Sequence, residues 1–102
     1  MTEVKVGQVV ESTAGRDKSF RMIVYNIIDN KYVTVVDGCH RKVENPKKKK
    51  LKHLHLTPNV ASRFVKKVQA GIVPTNEEVR EYLDELVGPD KYLAHNEGGK
   101  MR

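Results

Sequence analysis

Apolar and polar positions divide this chain into short β-branched runs followed by two helical stripes. Val6, Val9 and Val10 mark a first half-buried strand, and Thr13-Ala14-Gly15-Arg16-Asp17 supplies small and polar turn residues. Gly15 is the hinge of that turn, because a tight connection favours positive φ and glycine adopts it without steric penalty. Residues 20–28 are too apolar to be exposed on both faces and predict the central strand. Asp29-Asn30-Lys31 interrupts the pattern and Tyr32-Val33-Thr34-Val35-Val36 resumes it, a hairpin signature. Asp37-Gly38 turns the chain again. Residues 39–43 predict a fourth short strand, stopped by Asn45-Pro46. After the run Lys47-Lys48-Lys49-Lys50, read as a strand connection, residues 51–56 alternate with period two. That places Leu54 and Leu56 inward and spreads Lys52, His53 and His55 over the outer face and its ends.

The period changes at Thr57-Pro58, which reads as an N-cap followed by a first-turn proline. Val60, Phe64, Val65 and Val68 then fall at helical spacing before Gly71. Thr75 and Glu78 form a capping box for a second helix, whose stripe is Val79, Leu83 and Leu86 with Tyr82 beside it, and Gly88-Pro89 stops it. The short link at 71–73 suits an antiparallel pair. Beyond Tyr92 and Leu93 the chain has too little apolar content to pack. The expected organisation is a mainly β fold with an α appendage: a small five-strand barrel over 1–57, a helical hairpin over 58–93 and a disordered tail over 94–102.

Charge sharpens this division. The net charge of +6 arises entirely before residue 58, where 12 Lys+Arg stand against 6 Asp+Glu, while the remainder holds 7 of each. The imbalance points to a polyanionic partner for the β part, with nucleic acid ahead of an anionic membrane. A single Cys39 excludes an intramolecular disulfide framework and fits a reducing compartment. The first residues carry Glu3 and Lys5 and no signal-like apolar run, and no segment approaches a membrane span, so a cytoplasmic protein is expected.

Arg41, Lys42, Lys47, Lys48, Lys49, Lys50 and Lys52 fall within twelve positions, countered only by Glu44. Such a cluster is either a solvated face or a set of point-charge phosphate contacts, which position a ligand without reading its sequence. The glycine loop serves equally as a turn or as an RNA-contacting loop. Phe20, Tyr25 and Tyr32 are stacking candidates, but aromatics in strands more commonly form core. His53 and His55 at strand spacing favour a basic surface over a metal site, since no paired cysteines complete a tetrahedral set. There is no phosphate-binding Gly-Lys-Ser/Thr loop, no nucleophile elbow and no acid–base pair on a scaffold large enough to bury a substrate. Neither an enzyme, a cofactor nor a small-molecule substrate is expected.

Val6-Gly7-Gln8-Val9-Val10, Thr13-Ala14-Gly15-Arg16-Asp17, Val36-Asp37-Gly38 and Lys49-Lys50-Leu51-Lys52-His53-Leu54 occur in an order and spacing that resembles the bacterial KOW-domain RNA-binding proteins. The same segments are similar to the archaeal and eukaryotic large-subunit ribosomal protein fourteen-e. The resemblance implies a Src-homology-three-like (KOW) barrel that binds RNA, ribosomal RNA of the large subunit above all. The family's glycine falls on Gly15, its RNA-facing loop on Thr13, Ala14, Gly15, Arg16, Asp17 and Lys18, and its basic segment on the stretch from Lys47 to Lys52. One departure is Ser19, where such loops commonly carry a second glycine. Besides RNA binding, two other readings follow: a protein-interaction module using the stripe of Val79, Leu83 and Leu86, and a DNA binder acting in transcription.

Overall fold

The apolar runs pair into one antiparallel sheet. A computed structural model describes residues 3–88. Its strands are β1 (Gln8–Ser12), β2 (Arg21–Ile27), β3 (Tyr32–Val36), β4 (Lys47–Lys50) and β5 (Leu54–Val60), and helices α1 (Ser62–Gln69) and α2 (Asn76–Val87) follow. The strand order is β4-β3-β2-β1-β5, so the run read as central is central. The fold is therefore mainly β with a helical appendage. The expected stop at Pro89, the apolar pair Tyr92 and Leu93, and the tail at 94–102 lie outside the described residues.

Both faces of the middle strands are buried, which explains why strict alternation fails there: Met22, Ile23 and Val24 have no exposed surface. On one face Val9 lies opposite Ile23, and Ile23 opposite Val36. The helices cover this row with Ala61, Phe64, Val79, Tyr82 and Leu83. Phe64 is the keystone, edge-on to Tyr25 of β2 at 5.6 Å and to Tyr82 of α2 at 6.4 Å. Burying a side chain of this size contributes about 1.5–3 kcal/mol.

The other face gathers Val10, Met22, Val24, Val33, Val35 and Leu54, flanked by Val4, Leu51 and Leu56. Among the described residues, none from α1 or α2 belongs to this cluster; Val4, Leu56 and the 3₁₀ residue Leu51 border it. The strand register shifts between Gln8 and Val10 and between Val24 and Asn26, irregularities of the kind that bend and twist strands.

Four expectations about elements need correction. Residues 39–43 are a loop, because the Asp37 carboxylate accepts hydrogen bonds from the backbone N–H of Cys39 and of Arg41, both at 2.8 Å, and turns the chain back on itself. The lysine run is a strand and not a connection: β4 pairs with β3 through Tyr32↔Lys50, Val33↔Lys49, Thr34↔Lys48 and Val35↔Lys47. Residues 51–53 form a 3₁₀ turn, so the last strand starts at Leu54. That strand runs through Thr57-Pro58, the expected boundary, to Val60, and α1 begins at Ser62. Thr57 caps no helix; its hydroxyl is buried and donates to the Val9 carbonyl at 2.7 Å, and Pro58 is tolerated because β5 is an edge strand.

The second helix matches its sequence signals. The Thr75 hydroxyl accepts from Glu78 N–H at 3.1 Å and the Glu78 carboxylate accepts from Thr75 N–H at 2.9 Å, closing the capping box, and Gly88 stands at the C-cap. Its apolar stripe faces inward: Val79 and Leu83 are fully buried against the sheet and Leu86 packs beside them. The stripe is thus used within the chain and offers no free partner surface. Arg63–Glu85 and Lys67–Glu78 ion pairs join the two helices.

Candidate nucleic-acid interface

The glycine loop between β1 and β2 is a compact double turn. Lys18 N–H donates to the Gly15 carbonyl at 3.2 Å and Phe20 N–H to the Asp17 carbonyl at 2.8 Å, while Thr13 N–H ties the loop to the His53 carbonyl at 2.8 Å. Gly15 has φ +77° and open space around its Cα, as a hinge requires. Ser19, where a second glycine was expected from the resemblance, has φ 76°. The backbone thus adopts the left-handed form there despite a side chain. Thr13, Gly15, Arg16 and Lys18 are exposed and Ala14 half-buried; Asp17 is not exposed but turned inward.

That inward carboxylate organises the site. Asp17 is 4% exposed. Its Oδ2 accepts from Arg41 Nε at 3.1 Å and Nη2 at 2.9 Å, and Lys49 Nζ stands 3.2 Å away. Burial alone pushes this carboxyl's pKa up, but hydrogen bonds from Arg41 and Lys49, together with their charges, outweigh it and hold the group below its ordinary value of 3.8. Three sequence-predicted residues from three elements therefore meet, and they satisfy one another. Arg41 and Lys49 are thus paired with an internal carboxylate, which sets them apart from the other cations of the basic cluster. Lys49 is the inward member of β4, paired with buried Val33, and only 12% of its side chain is exposed.

The remaining cations point outward. Lys47, Lys48 and Lys50 on β4 are exposed, as are Lys42, Lys52 and His55; His53 is half-buried in the 3₁₀ turn. The two imidazoles consequently do not share a strand. His55 instead lies opposite Glu11 across the β1–β5 pair, and Arg21 Nε approaches Glu11 Oε1 from the other side at 3.3 Å, without hydrogen-bond alignment. Lys48 Nζ sits 4.4 Å from the centroid of the Tyr32 ring.

No protein-family model and no curated protein sequence matches this chain. The site must therefore be read from its geometry. Among the described residues no group of three or more His, Cys, Asp or Glu is arranged to hold a metal ion, and no helix is long and apolar enough to cross a membrane.

The loop at 37–46 is fixed from both sides. Arg41 reaches the glycine loop, while Val43 N–H donates to Asn76 Oδ1 at 2.8 Å, Asn76 Nδ2 to Glu44 Oε1 at 2.8 Å, and Arg80 Nη1 to the Gly38 carbonyl at 2.6 Å. The N-terminal turns of α2 thereby brace the loop that braces Asp17. Sequence reading missed this brace and passed over Asn30 and Lys31; together with Tyr32, weighed there as a stacking candidate, they border a cleft of about 510 Å³ with Lys50, Leu51 and Lys52. Turn composition concealed Asn30 and Lys31. Only the register Tyr32↔Lys50 brings them beside the lysine strand.

Proposed function

We propose that this chain is a non-enzymatic RNA-binding protein of the cytoplasm, its sheet a small Src-homology-three-like barrel of the KOW kind, and its target ribosomal RNA of the large subunit or a ribosome-associated RNA. One observation carries the reading. Asp17 bonds to Lys49 of β4, so the glycine loop, with exposed Arg16 and Lys18, is held beside the strand that exposes Lys47, Lys48 and Lys50. Five exposed cations on these two joined elements are suited to a phosphate backbone. The meander order and the β1–β5 pairing support the barrel reading. The alternative of a protein-interaction module loses its named surface, since Val79 and Leu83 are buried.

The test is the salt dependence of binding to large-subunit ribosomal RNA fragments by K47Q/K48Q/K50Q. Lys49 is left in place because removing it would unpair Asp17. With five phosphate contacts and a slope of roughly 0.7 per contact, affinity should fall about 100-fold between 50 and 200 mM salt, against about sevenfold for the variant. An unchanged slope would refute the phosphate role of β4. Equal affinity for duplex DNA would favour a DNA binder, and sedimentation of the native protein with the large subunit through a high-salt wash would establish a stable ribosomal position.

A further inference from the structure

The cleft bordered by Asn30, Lys31, Tyr32, Lys50, Leu51 and Lys52 combines features that a flat phosphate-binding face lacks. Three of its six residues are lysines, Lys31 from the β2–β3 turn and Lys50 and Lys52 from the continuous stretch at the end of β4 and in the 3₁₀ turn, and all border one hollow of about 510 Å³. Tyr32, the half-buried Leu51 and Asn30 complete its lining. Its walls are pre-set. Asp29 Oδ1 accepts from Lys31 N–H at 2.8 Å and from Tyr32 N–H at 2.9 Å, and Leu51 N–H donates to the Lys31 carbonyl at 2.8 Å, fixing the turn to the 3₁₀ segment. The Lys48 ammonium over the Tyr32 ring restrains the aromatic wall as well. Asp29, in the same turn, has its Oδ1 committed to backbone donors. A second hollow of about 570 Å³ shares Asn30, Leu51 and Lys52 and continues to His55 and Leu56.

An apolar and aromatic wall, one amide and three ammonium groups match an unpaired nucleotide: base against Tyr32 and Leu51, base edge on Asn30, flanking phosphates on Lys31, Lys50 and Lys52. A paired base has its faces stacked and its Watson–Crick edge occupied, so it offers neither to such a cleft. We infer that this cleft binds an unpaired nucleotide of a single-stranded or bulged RNA segment, with the shared hollow receiving its neighbour. This deepens the RNA-binding reading and rests on it. The glycine loop and β4 would hold the backbone on either side while the cleft selects for an unstacked base.

The test is an amide NMR titration of the full chain with uridine and adenosine 5′-monophosphates, with inorganic phosphate, and with a single-stranded RNA decamer or the same strand in a blunt duplex. The expected result is a set of shifts centred on Asn30, Lys31, Tyr32, Leu51 and Lys52 for nucleotides and decamer. The decamer should bind roughly tenfold more tightly than the duplex, about the loss of one base stack, and Tyr32→Leu should remove that preference while leaving the spectrum folded. Phosphate reproducing the nucleotide shifts would overturn base recognition. Decamer and duplex binding equally, with shifts on the glycine loop and β4 alone, would overturn the cleft and leave the proposed function standing. Absence of binding to any RNA would overturn both.

Discussion

Replacing Asp17 by Asn tests whether one inward carboxylate holds the basic surface together. The substitution preserves shape but removes the charge that two cations share at 2.9–3.2 Å. Taking one partner from a fully buried pair costs about 3–5 kcal/mol. Lys49 is nearly as enclosed as Asp17, whereas the Arg41 side chain keeps 28% of its exposure, so some of its charge can be rehydrated. A loss of about 2–3 kcal/mol is the reasoned value. With a urea slope of about 1 kcal/mol/M for a protein this small, the unfolding midpoint should fall by about 2–3 M. Adding Lys49→Gln to D17N should cost less than the sum of the single changes, because the second substitution removes a cation the first left stranded.

The pH dependence supplies a second reading of the same contact. Asp17 binds its proton less readily in the folded chain than in the unfolded one, so its contribution is complete above the unfolded value near 3.8 and is lost as pH falls through the lower folded value. The stability gap between the parent and D17N should therefore be widest at neutral pH and close progressively below about pH 4. RNA affinity of D17N measured well below its melting range should fall as well, because the loop that carries Arg16 and Lys18 is no longer tied to β4. A midpoint change below about 0.5 M, or a gap that stays constant down to acid pH, would refute the reasoning that Asp17 is a structural counter-ion.

Three further outcomes are expected. Ser19→Gly relieves a left-handed residue at φ 76° and should raise the melting temperature by a few degrees, the net of about 1–2 kcal/mol of strain relief against glycine's extra unfolded-state freedom. Gly38→Ala should destabilise by about 2 kcal/mol or more in a urea melt, because a Cβ there would run into the Asn76 carbonyl oxygen at φ +79°. Gly15→Ala, at the similar φ of +77° but facing open space, should cost only about 1 kcal/mol.

How much of this was legible in the sequence depends on whether a signal was local. The strand at 32–36, the hairpin at 29–31, the positive-φ hinge at Gly15 and the capping box at Thr75 and Glu78 all follow from near neighbours, and the structure has each of them. Failures arose where a distant partner decided the outcome. Lys47–Lys50 carry no strand propensity, yet they pair because β3 presents an open ladder of backbone groups beside them. Thr57-Pro58 imitates a helix start, but the Val9 carbonyl claims the threonine hydroxyl first. Residues 39–43 have strand-like content at Cys39 and Val43, but the buried Asp37 carboxylate curls their backbone. The candidate site behaved likewise: residue types identified the cations, but only the fold separates Arg41 and Lys49, which serve Asp17, from Arg16, Lys18, Lys47, Lys48 and Lys50, which face outward.

An edge strand made wholly of lysine has a structural rationale of its own, since charged edges resist pairing with a second sheet. That rationale requires positive charge on β4 and nothing elsewhere. It does not require a glycine loop that exposes Arg16 and Lys18 and maintains Ser19 in a left-handed conformation, nor a buried carboxylate that ties this loop to β4. Edge protection would be equally served if the acids of the sheet region stood among the lysines and neutralised them. Instead Asp37 turns its Oδ1 to loop backbone, Glu44 accepts from Asn76, and Asp29 closes the hairpin turn. Among the described residues no ion pair ties up Lys47, Lys48 or Lys50, although the charge of Asp29 reaches Lys48, while two cations are spent internally to hold the loop in place, and a surface organised in that way is better accounted for by a polyanion that sits on it than by solubility alone.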